Sequence, residues 1–183
     1  MKHVPNLLSL ARLAMAPFLF VFLWRHEYGA ALALILVAGI TDGLDGLAAR
    51  RWNSASRFGA YLDPVADKVL LSGAFLTLAL SGGIEKWLAW LVLGRDVGIL
   101  LFAGGAFLFS KSLRSFPPSI WGKASTVAQI AFVVALVMQF AGFGTELLAL
   151  ILRWMTVVLT VGSGIDYLVR GMAMVGQQAR EVN

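Results

Sequence analysis

The sequence is short of several residue types: its 183 positions contain no cysteine, two histidines and 14% charged residues. The absence of cysteine excludes disulfides and thiol chemistry. His3 and His26 lie near the N-terminus and in a short polar break, without neighbouring ligands, so no histidine metal centre is indicated. So little charge, beside 59% hydrophobic residues and a mean hydropathy of +0.80, excludes an ordinary soluble protein and indicates an integral membrane protein.

Several familiar sequence patterns are also absent. The chain has neither a Walker A nor a Rossmann glycine pattern, no internal repeat and no low-complexity tract. No cleavage signal is visible at the N-terminus, because the apolar run after Asn6 passes through Arg12 and no small-residue cleavage site follows. We therefore expect one membrane domain over residues 1–183, with its first apolar segment retained and no nucleic acid among its partners.

Apolar stretches separated by short polar breaks predict an all-α integral membrane fold with six transmembrane helices. The first stretch contains Arg12 in its first half and Pro17 in its middle, which argues against a uniform straight helix. We expect a short interfacial N-terminal segment, with Lys2, His3 and Arg12 toward lipid headgroups. The predicted spans are Asn6–Trp24, Ala30–Arg50, Gly59–Leu80, Trp87–Phe109, Gly122–Phe140 and Leu147–Leu168.

Lysine and arginine are distributed unevenly between the two sides that this topology defines. With the N-terminus in the cytoplasm, the outer side carries chiefly Arg25 and Lys86. The cytoplasmic side then carries Lys2, Arg50, Arg51, Arg57, Lys111, Arg114, Lys123, Arg170 and Arg180. We therefore expect a multi-pass protein of a bacterial inner membrane, with its N-terminus and its most acidic stretch on the cytoplasmic side.

That acidic stretch, residues 42–67, carries four aspartates at the borders of two apolar segments. Asp42 and Asp45 are three positions apart. Asp63 and Asp67 are four apart, so on helices each pair projects from one face. The link between the segments is short, which brings the pairs together. Converging carboxylates must take up protons or bind cations; oxygen ligands suit Mg²⁺, Mn²⁺ or Ca²⁺, and two bridged ions suit phosphoryl chemistry.

The same stretch resembles the signature of the CDP-alcohol phosphotransferase family. The family pattern D-x2-D-G-x2-A-R-x8-G-x3-D-x3-D is met without a mismatch. The matching positions are Asp42, Asp45, Gly46, Ala49, Arg50, Gly59, Asp63 and Asp67. The wider context, including Val4 to Asn6, Asp63 to Lys68 and Gly122-Lys123, is similar to the branch that holds phosphatidylglycerophosphate synthases and cardiolipin synthases, and this similarity covers most of the chain.

The resemblance implies an enzyme that moves a phosphatidyl group from CDP-diacylglycerol to an alcohol and releases CMP. It implies Mg²⁺ or Mn²⁺, as two ions, on the four aspartates of the motif, namely Asp42, Asp45, Asp63 and Asp67. It further implies a cytidine pocket at Gly46, Ala49 and Gly59 and a pyrophosphate contact at Arg50. Asp67 would be the general base, and the protein a homodimer. Small residues alone would indicate only close helix packing.

Charged residues in the later spans are candidates for binding the acceptor alcohol. In the family that this chain resembles, an arginine like Arg95 and a lysine like Lys123 bind the phosphate of the acceptor. From the residues alone, Arg95 and Asp96 could equally belong to a structural salt bridge with another helix. The same alternative holds for Arg153 and Asp166 in the sixth span.

Two positions depart from the pattern of many phosphatidylglycerophosphate synthases, which commonly have Arg-Glu where this chain has Arg95-Asp96. They have G-K-x-K-T where this chain has Gly122-Lys123-Ala124-Ser125-Thr126, so Ser125 replaces a lysine, as in cardiolipin synthases of the eukaryotic type. Glycerol 3-phosphate is the expected acceptor, and phosphatidylglycerol is the alternative. A cation transporter and a purely structural membrane protein are the remaining hypotheses; Arg50 argues against the transporter, because an ion path needs no arginine there.

Overall fold

A computed structural model of the chain is helical throughout the part that it describes. It describes the backbone of residues 4–52, 57–109 and 119–181, and the side chains of residues 10–41, 43, 66–101 and 119–173. Within these ranges there are six α-helices and no strand. They are α1 (Val4–Trp24), α2 (Tyr28–Trp52), α3 (Arg57–Leu80), α4 (Lys86–Phe109), α5 (Ile120–Phe140) and α6 (Glu146–Glu181). The all-α prediction is confirmed.

The first five helices begin and end within two residues of the predicted spans, and α1 continues through Pro17. The prediction for the end of the last helix was too short, because α6 runs on from Leu168 to Glu181. The predicted length reflected a bilayer core, which about 20 helical residues cross. The residues after Leu168 include no proline and several good helix formers, so the helix continues beyond the length that a bilayer requires.

The chain packs as two compact units. The first comprises Met1–Lys86 with Val133–Ala149, and the second comprises Trp87–Phe132 with Leu150–Asn183. The first unit has an apolar core in which Leu23, Phe75 and Leu78 are completely buried. The prediction of a single domain stays a prediction.

Helix α1 packs against both α3 and α2 in the first unit. Its contact with α3 is close at Gly73, where an added Cβ would lie 2.1 Å from Cζ of Phe20. A second contact joins Arg12 to Asp67. Because both contacts advance along the two helices in the same order, α1 and α3 run in the same direction. Gly73 therefore serves close helix packing, and this packing sets which residues of α1 face α3.

Three helices end in the same kind of turn, and all three turns lie in the first unit. The residues in the left-handed region are His26, Gly82 and Gly142, with φ of 59°, 83° and 83°. In each turn the next N–H donates to a carbonyl five residues back: Glu27 to Phe22 at 2.9 Å, Gly83 to Leu78 at 2.7 Å and Phe143 to Met138 at 2.9 Å. This is the Schellman arrangement, which satisfies the last carbonyls of a helix. α1, α3 and α5 thus end in tight turns with fixed geometry.

Polar side chains lie inside the second unit, between α5 and α6. Oγ of Ser125 is 3.1 Å from Oγ1 of Thr160, and Nε2 of Gln129 donates to these oxygens at 3.2 and 3.3 Å. Oγ1 of Thr156 donates to the carbonyl of Ala128 at 3.1 Å. We call this set the hydroxyl seam: Ser125, Gln129, Thr156 and Thr160, all of which are buried. Small polar residues between helices are typical of membrane proteins.

In contrast to this polar interior, many of the exposed side chains are large and apolar. Ile120, Leu101 and Trp90 are 81%, 71% and 69% exposed. Among the described residues, α5 and the Glu146–Ala173 part of α6 are long and apolar enough to cross a bilayer, whereas α1 and α2 have shorter apolar stretches. These observations indicate a membrane protein.

Candidate active site

The four motif aspartates lie on two successive helices. Asp42 and Asp45 belong to α2, and Asp63 and Asp67 belong to α3, with no break in either helix. The helical spacing on which the prediction depends is therefore confirmed for both pairs. Asp67 has a described side chain; those of Asp42, Asp45, Gly46, Ala49, Arg50, Gly59 and Asp63 lie outside the described residues.

Asp67 is paired with an arginine that the sequence predicts at the lipid headgroups. Nη1 of Arg12 on α1 donates to Oδ1 of Asp67 on α3. Only 2% of the Arg12 side chain is exposed, against 54% for Asp67. The prediction that Arg12 faces lipid headgroups was wrong, because α1 packs on α3 and turns this residue inward. The available signal was an arginine within an apolar helix, which usually has a buried partner.

The pair gives Asp67 a fixed cation on one side and an exposed face on the other. A guanidinium holds a carboxylate in a defined orientation through its planar array of N–H donors. Asp67 is thus an oriented carboxylate that remains accessible from outside the first unit's core.

A metal site on the four aspartates remains a prediction. Among the described side chains there is no group of three or more histidine, aspartate or glutamate residues that could hold an ion. Asp67 is the one predicted ligand among the described side chains. The chemistry of the proposed donor set fits Mg²⁺ or Mn²⁺, since carboxylate oxygens are the ligands that these ions prefer.

Arg95 and Asp96 form an ion pair in the second unit. Nη1 of Arg95 donates to Oδ1 of Asp96 at 2.9 Å, and the two side chains are 9% and 4% exposed. Nε and Nη2 of Arg95 both donate to Oγ of Ser163 on α6. Lys123 is exposed in the first turn of α5. Arg95 is thus paired with its neighbour in α4, whereas the alternative that the sequence left open was a salt bridge with another helix.

The charges of the sixth predicted span have structural partners of their own. Asp166 accepts hydrogen bonds from Ser119 and, at 2.9 Å, from Nε of Arg170. Ser119 precedes α5, and its Oγ also accepts from the Trp121 N–H at 3.1 Å. Arg153 lies over the rings of Trp87 and Trp154, with its Cζ 5.6 Å from each centroid. Asp166 therefore fixes the start of α5 through the cap residue.

Ser125, one of the two positions that depart from the commoner pattern, faces the interior of the second unit. Its side chain is completely buried in the hydroxyl seam. A residue at this position is therefore surrounded by α5 and α6 side chains rather than displayed at a surface. The sequence could not show this, because helical position alone does not tell which face a neighbour covers.

A helical backbone and large exposed apolar side chains indicate a membrane protein, and its acidic motif residues lie on two successive helices. The sequence profile of the CDP-alcohol phosphatidyltransferase family matches residues 2–162, and the chain belongs to that family. Enzymes of this family generally use divalent cations. The resemblance inferred from the motif is confirmed.

Three similar proteins are named for reactions of this family. The CDP-diacylglycerol–glycerol-3-phosphate 3-phosphatidyltransferase of Aquifex aeolicus is 33% identical over 180 residues, which cover 94% of this chain and 98% of that protein. A protein of Mycobacterium tuberculosis named as a probable phosphatidylglycerophosphate synthase is 32% identical over 184 residues, covering 95% of this chain and 84% of its own. The CMP-forming cardiolipin synthase of Rattus norvegicus is 37% identical over 115 residues, covering 62% and 36%.

Proposed function

We propose that this protein transfers the phosphatidyl group of CDP-diacylglycerol to glycerol 3-phosphate and releases CMP. The observation that carries the choice of acceptor is the extent of similarity. Relatives named for the glycerol 3-phosphate reaction align with 94–95% of the chain, whereas the rat cardiolipin synthase aligns with 62%. Phosphatidylglycerol is the second candidate acceptor, supported by the higher identity of that shorter alignment.

In this reaction the acceptor hydroxyl attacks the phosphorus that bears diacylglycerol. A bond forms between the hydroxyl oxygen and that phosphorus, the bond to the oxygen shared with CMP breaks, and CMP leaves with that oxygen. Asp67 takes the proton of the attacking hydroxyl as general base. Arg12 acts through Asp67, because its guanidinium orients the carboxylate from the buried side. The exposed face of Asp67 is the one that a substrate can reach.

The remaining motif residues have separate roles in the proposal. Gly46, Ala49 and Gly59 leave room for the cytidine, and Arg50 contacts the pyrophosphate. Mg²⁺ or Mn²⁺, as two ions, would be held by the aspartates of the motif and would offset the negative charge of the pyrophosphate. This assignment is supported by the unbroken match of the motif and by the placement of Asp42, Asp45, Asp63 and Asp67 on two helices.

The membrane arrangement is part of the same proposal. All six helices span a bacterial inner membrane, with a short interfacial segment at the N-terminus and the acidic site at the cytoplasmic face. The uneven distribution of lysine and arginine supports this orientation. The parallel packing of α1 and α3 agrees with it, because alternate helices of a multi-pass chain run in the same direction. We further propose a homodimer, as the family resemblance implies.

Product identification tests the proposed function. The purified full-length protein, in lipid nanodiscs with Mg²⁺, is given CDP-diacylglycerol and one acceptor at a time: glycerol 3-phosphate, phosphatidylglycerol, serine or inositol phosphate. Phosphatidylglycerophosphate and CMP, formed in equal amounts, are the expected products, measured by mass spectrometry. Cardiolipin formed from phosphatidylglycerol, with no product from glycerol 3-phosphate, would overturn the choice of acceptor.

A further inference from the structure

The guanidinium of Arg95 is fixed by contacts from two helices of the second unit. On α6, Oγ of Ser163 accepts from Nε at 3.2 Å and also from Nη2. On α4, Asp96 accepts from Nη1 at 2.9 Å. The ring of Tyr167, one turn further along α6 than Ser163, lies 5.8 Å from Cζ. Ser163 is completely buried, so its hydroxyl is shielded from competition by water.

Gly122 of α5 makes room for this arrangement. A Cβ at this position would lie 3.1 Å from Nη2 of Arg95 and 3.3 Å from Cε2 of Tyr167. Either contact is tighter than ordinary van der Waals packing, so a Cβ here would require the guanidinium or the ring to shift by a few tenths of an ångström. Gly164 of α6 differs, because a Cβ there would meet nothing within 4 Å. The glycine at position 122 therefore has a specific neighbour, and the one at 164 does not.

The contacts leave one edge of the guanidinium for a ligand. Arginine has five N–H groups, and Ser163 and Asp96 accept from three of them. The other two, one on Nη1 and one on Nη2, have no hydrogen-bond partner within the described part of the chain. These two nitrogens form the outer fork with which arginine binds phosphate in a bidentate manner. Ser163, Asp96 and the ring of Tyr167 together fix the plane of the guanidinium.

We propose that Ser163 and Tyr167, with the space left by Gly122, are positioning residues that aim the outer fork of Arg95 at the phosphate of the acceptor alcohol. This inference rests on the proposed function. It applies to the phosphomonoester of glycerol 3-phosphate and to the phosphodiester of phosphatidylglycerol, which share the group that the fork binds. Lys123, exposed on α5 without an ion pair among the described residues, supplies further positive charge at this end of the helix.

Ser163→Ala tests the inference because it should affect the KM for the acceptor and not the KM for CDP-diacylglycerol. The variant keeps Arg95 and its charge but removes the acceptor of two N–H groups, so the fork loses its orientation. The KM for the acceptor should rise about tenfold, whereas kcat and the KM for CDP-diacylglycerol should change by less than about twofold. Ser163→Thr, which retains the hydroxyl, should restore the acceptor KM.

Two matched controls separate positioning from stability. Thr156→Val removes another buried hydroxyl of α6, which bonds to the carbonyl of Ala128 and not to Arg95. It should lower the unfolding temperature in detergent as much as Ser163→Ala does, with the acceptor KM unchanged. Gly122→Ala should raise the acceptor KM by displacing Arg95, whereas Gly164→Ala should leave it at the wild-type value.

Each outcome decides one question. If the wild type turns over but Ser163→Ala and Gly122→Ala keep the wild-type acceptor KM, the positioning role is wrong. The same conclusion follows if Ser163→Ala raises both Michaelis constants equally. If the wild type makes cardiolipin and no phosphatidylglycerophosphate, the proposed acceptor fails instead, and the KM measured is that for phosphatidylglycerol. If Ser163→Ala does not fold, Tyr167→Leu is compared with Tyr167→Phe instead. Only Tyr167→Leu removes the ring over Arg95, so only this variant should raise the KM for the acceptor.

Discussion

Arg12 and Asp67 are 55 residues apart in the sequence, yet they share a hydrogen-bonded ion pair between α1 and α3. The arginine is buried and the aspartate is half exposed. The first helix, which carries none of the family's motif residues, therefore reaches the residue that we propose as the general base. The pair explains how an arginine is accommodated in a helix that is otherwise largely apolar.

Replacing Arg12 should lower turnover by misplacing Asp67. In Arg12→Gln the carboxylate loses its charged partner, and kcat should fall about 100-fold, the usual scale for a displacement of about 1 Å at a reacting group. Arg12→Lys keeps the charge without the planar donors and should give an intermediate value. Arg25→Gln, which removes an exposed arginine, is the control. If Arg12→Gln keeps wild-type turnover, the ion pair has no role in catalysis.

Replacing Asp67 should remove turnover while the fold is retained. Asp67→Asn preserves shape but cannot accept the proton of the acceptor hydroxyl, so kcat should fall by about a thousandfold or more. Activity of the wild type should depend on added Mg²⁺ or Mn²⁺ and be lost with a chelator. Glu27→Gln, at an exposed turn, neutralises an acidic residue without this effect. Near-normal turnover in Asp67→Asn would assign the base to another residue.

The proposed cytidine pocket is tested at Gly59. Gly59→Leu should fill the pocket and abolish binding of CDP-diacylglycerol, while membrane insertion continues because leucine favours it. Gly39→Leu is the matched control, since Gly39 lies on α2 and a Cβ there would meet nothing within 4 Å. Binding is measured by the change in intrinsic tryptophan fluorescence on titration with CDP-diacylglycerol. Unchanged affinity in Gly59→Leu would place the nucleotide elsewhere.

Ser125→Lys should lower stability rather than improve the use of glycerol 3-phosphate. An ammonium at this completely buried position would lose its hydration among the residues of the hydroxyl seam. The unfolding temperature in detergent should fall, and the KM for glycerol 3-phosphate should not decrease. Ser125→Ala is the control, with an expected loss of about 1 kcal/mol or less from one interhelical hydrogen bond. A stable Ser125→Lys variant with a lower KM would contradict this reading of the seam.

The helices were predictable because their ends coincide with local signals. The breaks at Arg25 to Tyr28 and at Ser81 to Gly83 stand out against apolar surroundings, and the structure ends α1 and α3 there. The end of α6 was not predictable in the same way, since hydropathy reports where a bilayer can cover a helix and not where its backbone bonds stop. Two of the six predicted spans pass the test of length and composition among the described residues.

The contacts of individual side chains required the packed structure. The motif located Asp67 by pattern, but Arg12 belongs to no pattern and its partner depends on how α1 packs against α3. Arg95 was identified, whereas Ser163 and Tyr167 were not, because serine and tyrosine in an apolar helix are usually only packing or interface residues. The role that we propose for them follows from distances to Arg95, which no single-sequence signal encodes.

The tight turns at His26, Gly82 and Gly142 also bear on how the protein is made. Each follows an odd-numbered helix, and the next helix begins only a few residues later. In the six-span arrangement that we propose, so little chain between the two helices of a pair means that they enter the bilayer together as a hairpin. Few charged side chains would cross the membrane with these hairpins. They are mainly Arg25, Glu27, Glu85, Lys86 and Glu146. We therefore expect three paired insertion events during biosynthesis, each limited by its turn, rather than six independent ones.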